Sequence, residues 1–473
     1  MELYSYLQSL PLSLFSCVVL VIFICVKWIL FDSKNRKNIP PSPPKLPIIG
    51  NFHQLGSNPN HNLHILSQKY GPVMLLHLGS IPTLVASSTE AVQEIMKTHD
   101  LSFCSRPSLT VPNILLYGSK SISFAPYGEY WRRLKSLVVL KLLSNTRVKS
   151  YQKVRENEIG HMIHVLGESC GSTVDMGSMF ASLTNNIISR VSIGRKLDGP
   201  KYKKLLCAFV DAFNVFNIGS YIPWLSWVDR VIGDHAKSDE GEDFVDILLD
   251  LQENNTSEIT LHRDSLKALI MEAFAAGTET TQTALEWTMS ELIRNPRVMK
   301  KLQQEVTEIA QGRSMISEED LEKMAYLKAV LKESLRLHAP FPLLLPRKSM
   351  QDVKLMGYDI SAGTQVIINA WAIGRDPAFW EEPNEFRPER FLNNSITYQG
   401  LHSEWIPFGA GRRLCPGIQF SVPVIELALA NIVYKFDMVL PNGLRNEDLD
   451  MTEAFGITIH RKSSLIVLVS PRF

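Results

Sequence analysis

From Leu266 to Arg294 the chain runs without a proline, and it breaks just before Asn295-Pro296. The stretch predicts a single helix that, at 1.5 Å per residue, spans roughly 40 Å, the width of a whole domain. A fold holding such a rod must be built around it. Its centre, Ala275-Ala276-Gly277-Thr278-Glu279-Thr280-Thr281, is poor helix material. Glycine and β-branched threonine lower helix propensity, and threonine hydroxyls bond back to the preceding turn and bend it. The flanking turns are apolar on several sides, so this polar, weakened middle belongs in the core and points to function there.

The rest of the pattern is mostly helical up to about residue 340. Pro72 to Leu78 and Thr83 to Ala86 flank Gly79-Ser80 and predict a hairpin. Ser87, with Glu90 three residues on, predicts a capping box opening a helix. Strand patterns return at Val366 to Asn369 and Ser464 to Val469. The expected class is mainly α with small β-sheets (α+β). A composition of 45% hydrophobic and 21% charged residues over 473 positions excludes a disordered or collagen-like chain. A net charge of +1, with no basic stripe interleaved with aromatics, gives no reason to expect a nucleic-acid partner.

The amino-terminal segment is expected to anchor the chain in a membrane. Leu10 to Val26 carries no charge, and with Lys27 able to snorkel the apolar run to Phe31 approaches the ~20 residues that span a bilayer. Lys34, Arg36 and Lys37 follow it, so the positive-inside rule leaves the remainder on the cytoplasmic side. A cleaved signal peptide fits less well, because no small-residue cleavage site follows and the basic cluster is on the wrong flank. The expected organisation is an anchor with its basic flank over 1–37, a proline-rich hinge over 38–50 and one catalytic domain over 51–473. Five prolines in IPPSPPKLPIIG favour stiff extended backbone, either as a spacer or as a mount fixing the domain's attitude.

Six cysteines, Cys17, Cys25, Cys104, Cys170, Cys207 and Cys415, are scattered without zinc-like spacing or a disulfide framework. Only Cys415 has a special setting. Phe408 to Gly417 reads FGAGRRLCPG and precedes an apolar helical run from Ile418 to Val433. A cysteine just before a helix meets backbone N–H groups and the positive end of the helix dipole. Gly411 and Gly417 permit turns and close approach of a flat ligand, and Arg413 supplies a cation. From these residues alone Cys415 is a buried structural thiol or a reactive nucleophile.

The pattern Phe408-x-x-Gly411-x-Arg413-x-Cys415-x-Gly417 resembles the haem-binding loop of the cytochrome P-450 superfamily. Three further motifs stand in that family's order: Ala276-Gly277-Thr278-Glu279-Thr280-Thr281, Glu333-Ser334-Leu335-Arg336, and Phe386-Arg387-Pro388-Glu389-Arg390-Phe391. The resemblance covers essentially the whole chain. It implies haem b with Cys415 as the axial thiolate to iron, and Phe408 packed beside the sulfur. Trp131, Lys135, Arg347 and Arg413 become the expected haem-propionate partners, with Lys135 standing where the family usually has arginine. Glu279 and Thr280 become the acid–alcohol pair for oxygen activation, and Glu333, Arg336 and Arg390 the buried charge cluster behind the haem.

The wording of PPSPPKLPIIGNFHQLG, GYDISAGTQVIINAWAIGRDP and EFRPERF is similar to the plant family numbered seventy-one within this superfamily. That implies an endoplasmic-reticulum enzyme oxidising small apolar specialised metabolites, a terpenoid or a coumarin or other phenylpropanoid being favoured, with O2 and electrons from NADPH–cytochrome reductase. Arg132, Arg133, Lys135, Lys141 and Arg412 are the expected basic docking face. Ala276, Leu345 and Phe455 are expected substrate contacts. An intact Glu279-Thr280 argues for monooxygenation over an O2-independent rearrangement. One departure favours a non-catalytic or impaired haem-binding relative: between Trp227 and Asp243 only a short polar link stands where similar enzymes carry most of a long, pocket-roofing helix.

Overall fold

The computed structural model describes residues 38–197, 263–456 and 458–473, together with 209, 212, 213 and 218–221. The expected anchor over 1–37 and the short link between Trp227 and Asp243 lie outside the described residues. The helices that place the site are Glu129–Leu137 (α1), Met176–Ile193 (α2), Arg263–Arg294 (α3), Pro296–Ala310 (α4), Ala325–Leu337 (α5) and Ile418–Lys435 (α6). The predicted rod is α3, 32 residues long, or about 48 Å. It starts three residues earlier than expected and ends at Arg294, where Asn295-Pro296 stops it.

The two halves of α3 differ. From Thr283 to Ile293 every residue is buried, so this half is enclosed on all sides by α2, α5 and α6. Its polar side chains are satisfied within the core: Thr288 donates to the Ala284 carbonyl at 2.6 Å and to the Ser334 hydroxyl at 2.8 Å, and Glu291 meets His338 at 2.7 Å. Gly277 sits where α2 and α3 press together. A Cβ there would stand 2.6 Å from Ile188 Cδ1, so a larger residue would require the Ile188 side chain to shift. Helix α6 is the one described helix long and apolar enough to cross a membrane, and at 72% buried it is instead a core helix.

The hairpin forms as Val73–Leu78 (β1) and Ile81–Ala86 (β2), paired antiparallel from Val73↔Ala86 to Leu78↔Ile81. With Arg347–Lys348 (β3) and Gln365–Ile368 (β4) it makes a four-stranded sheet ordered β1-β2-β4-β3. The following helix is capped by Ser88 rather than Ser87, and no capping box forms. Ser88 accepts the Ala91 N–H at 3.3 Å, and its third neighbour is Ala91, which has no carboxylate to return the bond. The last strand, Ile466–Pro471, lies between Thr173–Asp175 and Phe436–Val439 in a three-stranded sheet.

The proline-rich segment is laid along β1. The outward N–H groups of Leu75, His77 and Gly79 donate to Pro41 O at 2.9 Å, Asn51 Oδ1 at 2.7 Å and Ile49 O at 3.2 Å. Asn51, fully buried, also donates to the Pro43 and Pro44 carbonyls at 3.3 and 3.2 Å. The segment is thus mounted on the domain by these bonds, while the anchor it would join lies outside the described residues.

Candidate functional site

The loop before α6 wraps the thiol. Gly409 and Gly411 adopt φ of 71° and 66°, the left-handed region, and a Cβ on Gly411 would meet Met96 O at 2.4 Å. Gly417 has φ −85° as the N-cap of α6, and a Cβ there would make ordinary contact with the sulfur at 3.7 Å. Cys415 donates its N–H to Phe408 O at 3.1 Å, and its thiol accepts from the backbone of Gly417 and Ile418. Burial pushes the thiol up, these N–H groups pull it down, Glu272 opposes them and Lys135 helps them, and the net direction is up.

Behind this loop α5 supplies Glu333 and Arg336, both wholly buried and paired through two bonds of 2.7 and 2.8 Å. Arg336 also donates to the carbonyls of Gly374, Pro383 and Glu385. Arg390 reaches Glu333 at 3.2 Å, and the Arg387 N–H reaches the same carboxylate at 2.9 Å. The three residues expected to cluster are together, every charge saturated.

A second buried cluster is cation-rich. Arg106, Arg347 and Arg413 are all under 10% exposed, beside Asp100 and Glu272. Asp100 takes Arg347 at 3.2 Å and the exposed Arg412 at 2.8 Å. Arg413 donates to the carbonyls of Cys104, Ile122 and Ala125 and lies 4.0 Å from the Trp131 ring. Burial, with Arg347 nearby, brings Arg413 down to about 10; burial also lowers Arg106 and Arg347. Trp131 donates Nε1 to Ile122 O at 2.9 Å. Lys135 reaches the Arg412 carbonyl and tethers α1 to the thiol loop. Buried guanidinium groups exceeding the available carboxylates are the complement of a ligand carrying carboxylates of its own. This donor set fits the two propionates of haem next to a thiol ligand.

An apolar pocket lies against the middle of α3. Ala276, Glu279, Thr280, Leu345 and Thr458 line it, with Phe124 stacked on Phe213 at 5.8 Å. Thr280 Oγ1 bonds back to Ala276 O at 2.5 Å, the bond expected to bend a helix here. Glu279 accepts from the Thr458 hydroxyl. Phe455, expected among the substrate contacts, is 47% exposed and outside this lining; Thr458 stands there instead. The strand Glu453–Ala454 ends just before Phe455 and turns that side chain outward. Arg106 and Asp100 carry no local pattern that marks them, whereas Glu272 and Thr458 fall within the apolar stretches Ala268 to Thr280 and Ala454 to Thr458 that read as pocket segments. Arg106 in Ser105-Arg106-Pro107 looks like an ordinary loop cation until its burial is known.

Thiol, surplus buried cations and a pocket against the threonine-rich middle of a long helix together describe a haem-thiolate oxygenase. The family model described as Cytochrome P450 matches residues 40–240 and 228–467, two segments overlapping within the link expected to be short. Cytochrome P450 Tp4149 of Tanacetum parthenium is 59% identical, covering 99% of both chains. A 3-beta-hydroxylase of the same plant is 52% identical over the whole of both, and a (+)-menthofuran synthase of Mentha piperita is 48% identical over 93% of this chain and 94% of that one. Among solved structures, a zebra fish cytochrome P450 with abiraterone superposes with a TM-score of 0.72 at 26% identity, over 88% of this chain and all of that one. The chain belongs to the cytochrome P450 family. It is a monooxygenase that carries haem on a cysteine thiolate, and Cys415 is that cysteine.

Proposed function

We propose that this chain, anchored by residues 1–37 in the endoplasmic-reticulum membrane with its catalytic domain in the cytosol, oxidises a small apolar plant metabolite of the terpenoid or coumarin/phenylpropanoid class. The observation that carries this reading is the apolar pocket lined by Ala276, Glu279 and Thr280 of α3. Leucine and phenylalanine walls hold a ligand by shape, and few polar groups orient it. The likeness to a (+)-menthofuran synthase and a 3-beta-hydroxylase supports oxygen insertion into a small metabolite.

Haem bound through Cys415 supplies O2 reduction and C–H oxidation. Trp131, Lys135, Arg106, Arg347 and Arg413 hold its propionates, and Phe408 limits water near the sulfur. On the pocket side Thr280 gives up its bond to Ala276 O and delivers the Oγ1 proton. Glu279, steadied by Thr458, carries protons inward at its carboxylate and restores that hydroxyl. Both groups line the pocket, which favours monooxygenation over an O2-independent rearrangement. Electrons come from NADPH–cytochrome reductase, docked on the exposed Arg132, Arg133, Lys141 and Arg412 with Lys135 at its margin.

The test pairs a spectrum with coupling. Reduced, CO-bound protein should show the red-shifted thiolate band, absent in Cys415→Ala. With reductase and a terpenoid and coumarin panel, Thr280→Ala should lower product per NADPH by about tenfold or more while NADPH use continues. Unchanged coupling would remove Thr280 from the proton path. NADPH use without product on any panel member, in wild-type protein with a normal band, would favour the impaired haem-binding alternative.

A further inference from the structure

Glu272 lies on α3 two turns before Glu279, 8% exposed, and no step above uses it. Its two oxygens accept the N–H of Ile122 at 2.8 Å and the N–H of Ser123 at 2.7 Å, and the hydroxyls of Ser121 and Ser123 add to these. The acceptor belongs to the helix and all the donors to one turn, Ser121 to Ala125, closed by the Ala125 N–H on Ser121 O at 3.1 Å. The opposite side of that turn faces the cations. Ile122 O receives Trp131 and Arg413, Ser123 O receives Arg106 at 2.7 Å, and Ala125 O receives Arg413 at 2.7 Å.

One peptide unit therefore stands between opposite charges. The Ile122 carbonyl and the Ser123 N–H belong to the same trans peptide and point in opposite directions. A carboxylate on the N–H and a guanidinium on the oxygen polarise it in the same sense, so each bond strengthens the other. The turn also carries Ser123 and Phe124 into the pocket wall, beside Glu272 itself.

We propose that Glu272 is a positioning residue: through the Ile122–Ser123 peptide it fixes both the Arg106–Arg413–Trp131 platform and the adjoining pocket wall. It holds the turn, not a substrate ammonium group, because both of its oxygens are already taken. The effect on the haem edge rests on those cations being the propionate partners, whereas the clamp on the turn does not.

The first measurement needs no variant. Hydrogen–deuterium exchange of the full-length wild-type protein should show the amides of Ile122 and Ser123 protected although they lie in a turn, and fast exchange there would overturn the clamp outright. Glu272→Gln keeps size but replaces one acceptor with a donor. It should expose those amides, weaken a neutral apolar ligand read by its spin-state shift by about tenfold, and speed haem transfer to apomyoglobin by a similar factor, with the reduced CO band kept. Glu272→Asp, which retains two acceptors, should fall between wild type and Gln in all three. A Gln variant matching wild type in exchange and neutral-ligand affinity, but losing a cationic ligand, would overturn the proposal in favour of amine recognition. Exposed amides and weaker ligand binding with unchanged haem release would leave the clamp standing and overturn its link to the haem edge.

Discussion

Two of the buried charge clusters among the described residues are built on different plans. Around Glu333 one carboxylate is shared by Arg336 and Arg390, and the remaining guanidinium N–H groups end on the carbonyls of residues 374 to 385. Its key pair is three residues apart on one helix, closed by the loop that follows. Around Asp100 the partners are Arg347 and Arg412, drawn from chain positions 247 and 312 residues away, and the nearby Arg106 and Arg413 rest only on carbonyls. Each cluster buries one guanidinium more than it has carboxylates, but in the first both guanidinium groups bond to Glu333. In the second, Arg106 rests on carbonyls and Arg413 on carbonyls and the Trp131 ring, so neither bonds to a carboxylate. Burying a cation without a matching acid costs stability, so its presence marks a place where binding, not folding, supplies the balance.

The sharpest way to break this contrast is Glu333→Ala, which strands two buried guanidinium groups. It should cost about 3–5 kcal/mol and yield little folded, haem-loaded protein, read by urea unfolding and by the CO spectrum. If it unfolds no more readily than wild type, the shared carboxylate does not hold the fold. Arg413→Ala should do less to the fold, about 1–3 kcal/mol, because it removes a surplus cation and leaves only carbonyls unpaired. Its main effect should be faster haem release at a retained thiolate band; a loss of folding equal to that of Glu333→Ala would erase the distinction. The smallest effect concerns the rim of the first cluster. Burial alone would raise the Glu389 carboxyl, but Arg297, Lys301 and Tyr326 hold it at about 2, below its ordinary 4.5. A depressed carboxylate stabilises the fold fully above about 4.5 and loses that contribution as pH falls toward 2. The unfolding midpoint of wild type should therefore drop more than that of Glu389→Gln between pH 5 and pH 3, and parallel profiles would show that Glu389 contributes nothing.

The same contrast governs what could be read from the chain. Glu333, Arg336, Arg390 and Cys415 are legible through the resemblance of their motifs to the cytochrome P-450 family; taken alone, Glu333 and Arg336 read as a common i, i+3 pair, and Cys415 as a thiol before a helix. The weak helix formers at the centre of α3 are legible in its threonines and glycine. Asp100 and Arg106 carry no local mark, since what distinguishes them is burial beside residues far along the chain. Ser87 and Ser88 are equally good caps by type, and only the backbone chooses. The mount formed by residues 38–50 was ambiguous because proline specifies extended backbone without specifying what it lies against.

That mount has a consequence for how copies of this protein meet. β1 is the outermost strand of its sheet, and an unpaired outer strand is a template on which another chain can add itself. Pro41 O, Asn51 Oδ1 and Ile49 O occupy the N–H groups such a newcomer would need. The prolines of the covering segment have no N–H of their own to offer outward, so the row of bonds ends with them. Cutting the chain at Gly50 rather than before Pro41 would uncover this border and leave the hairpin able to recruit its neighbours, turning a soluble domain into one that self-associates.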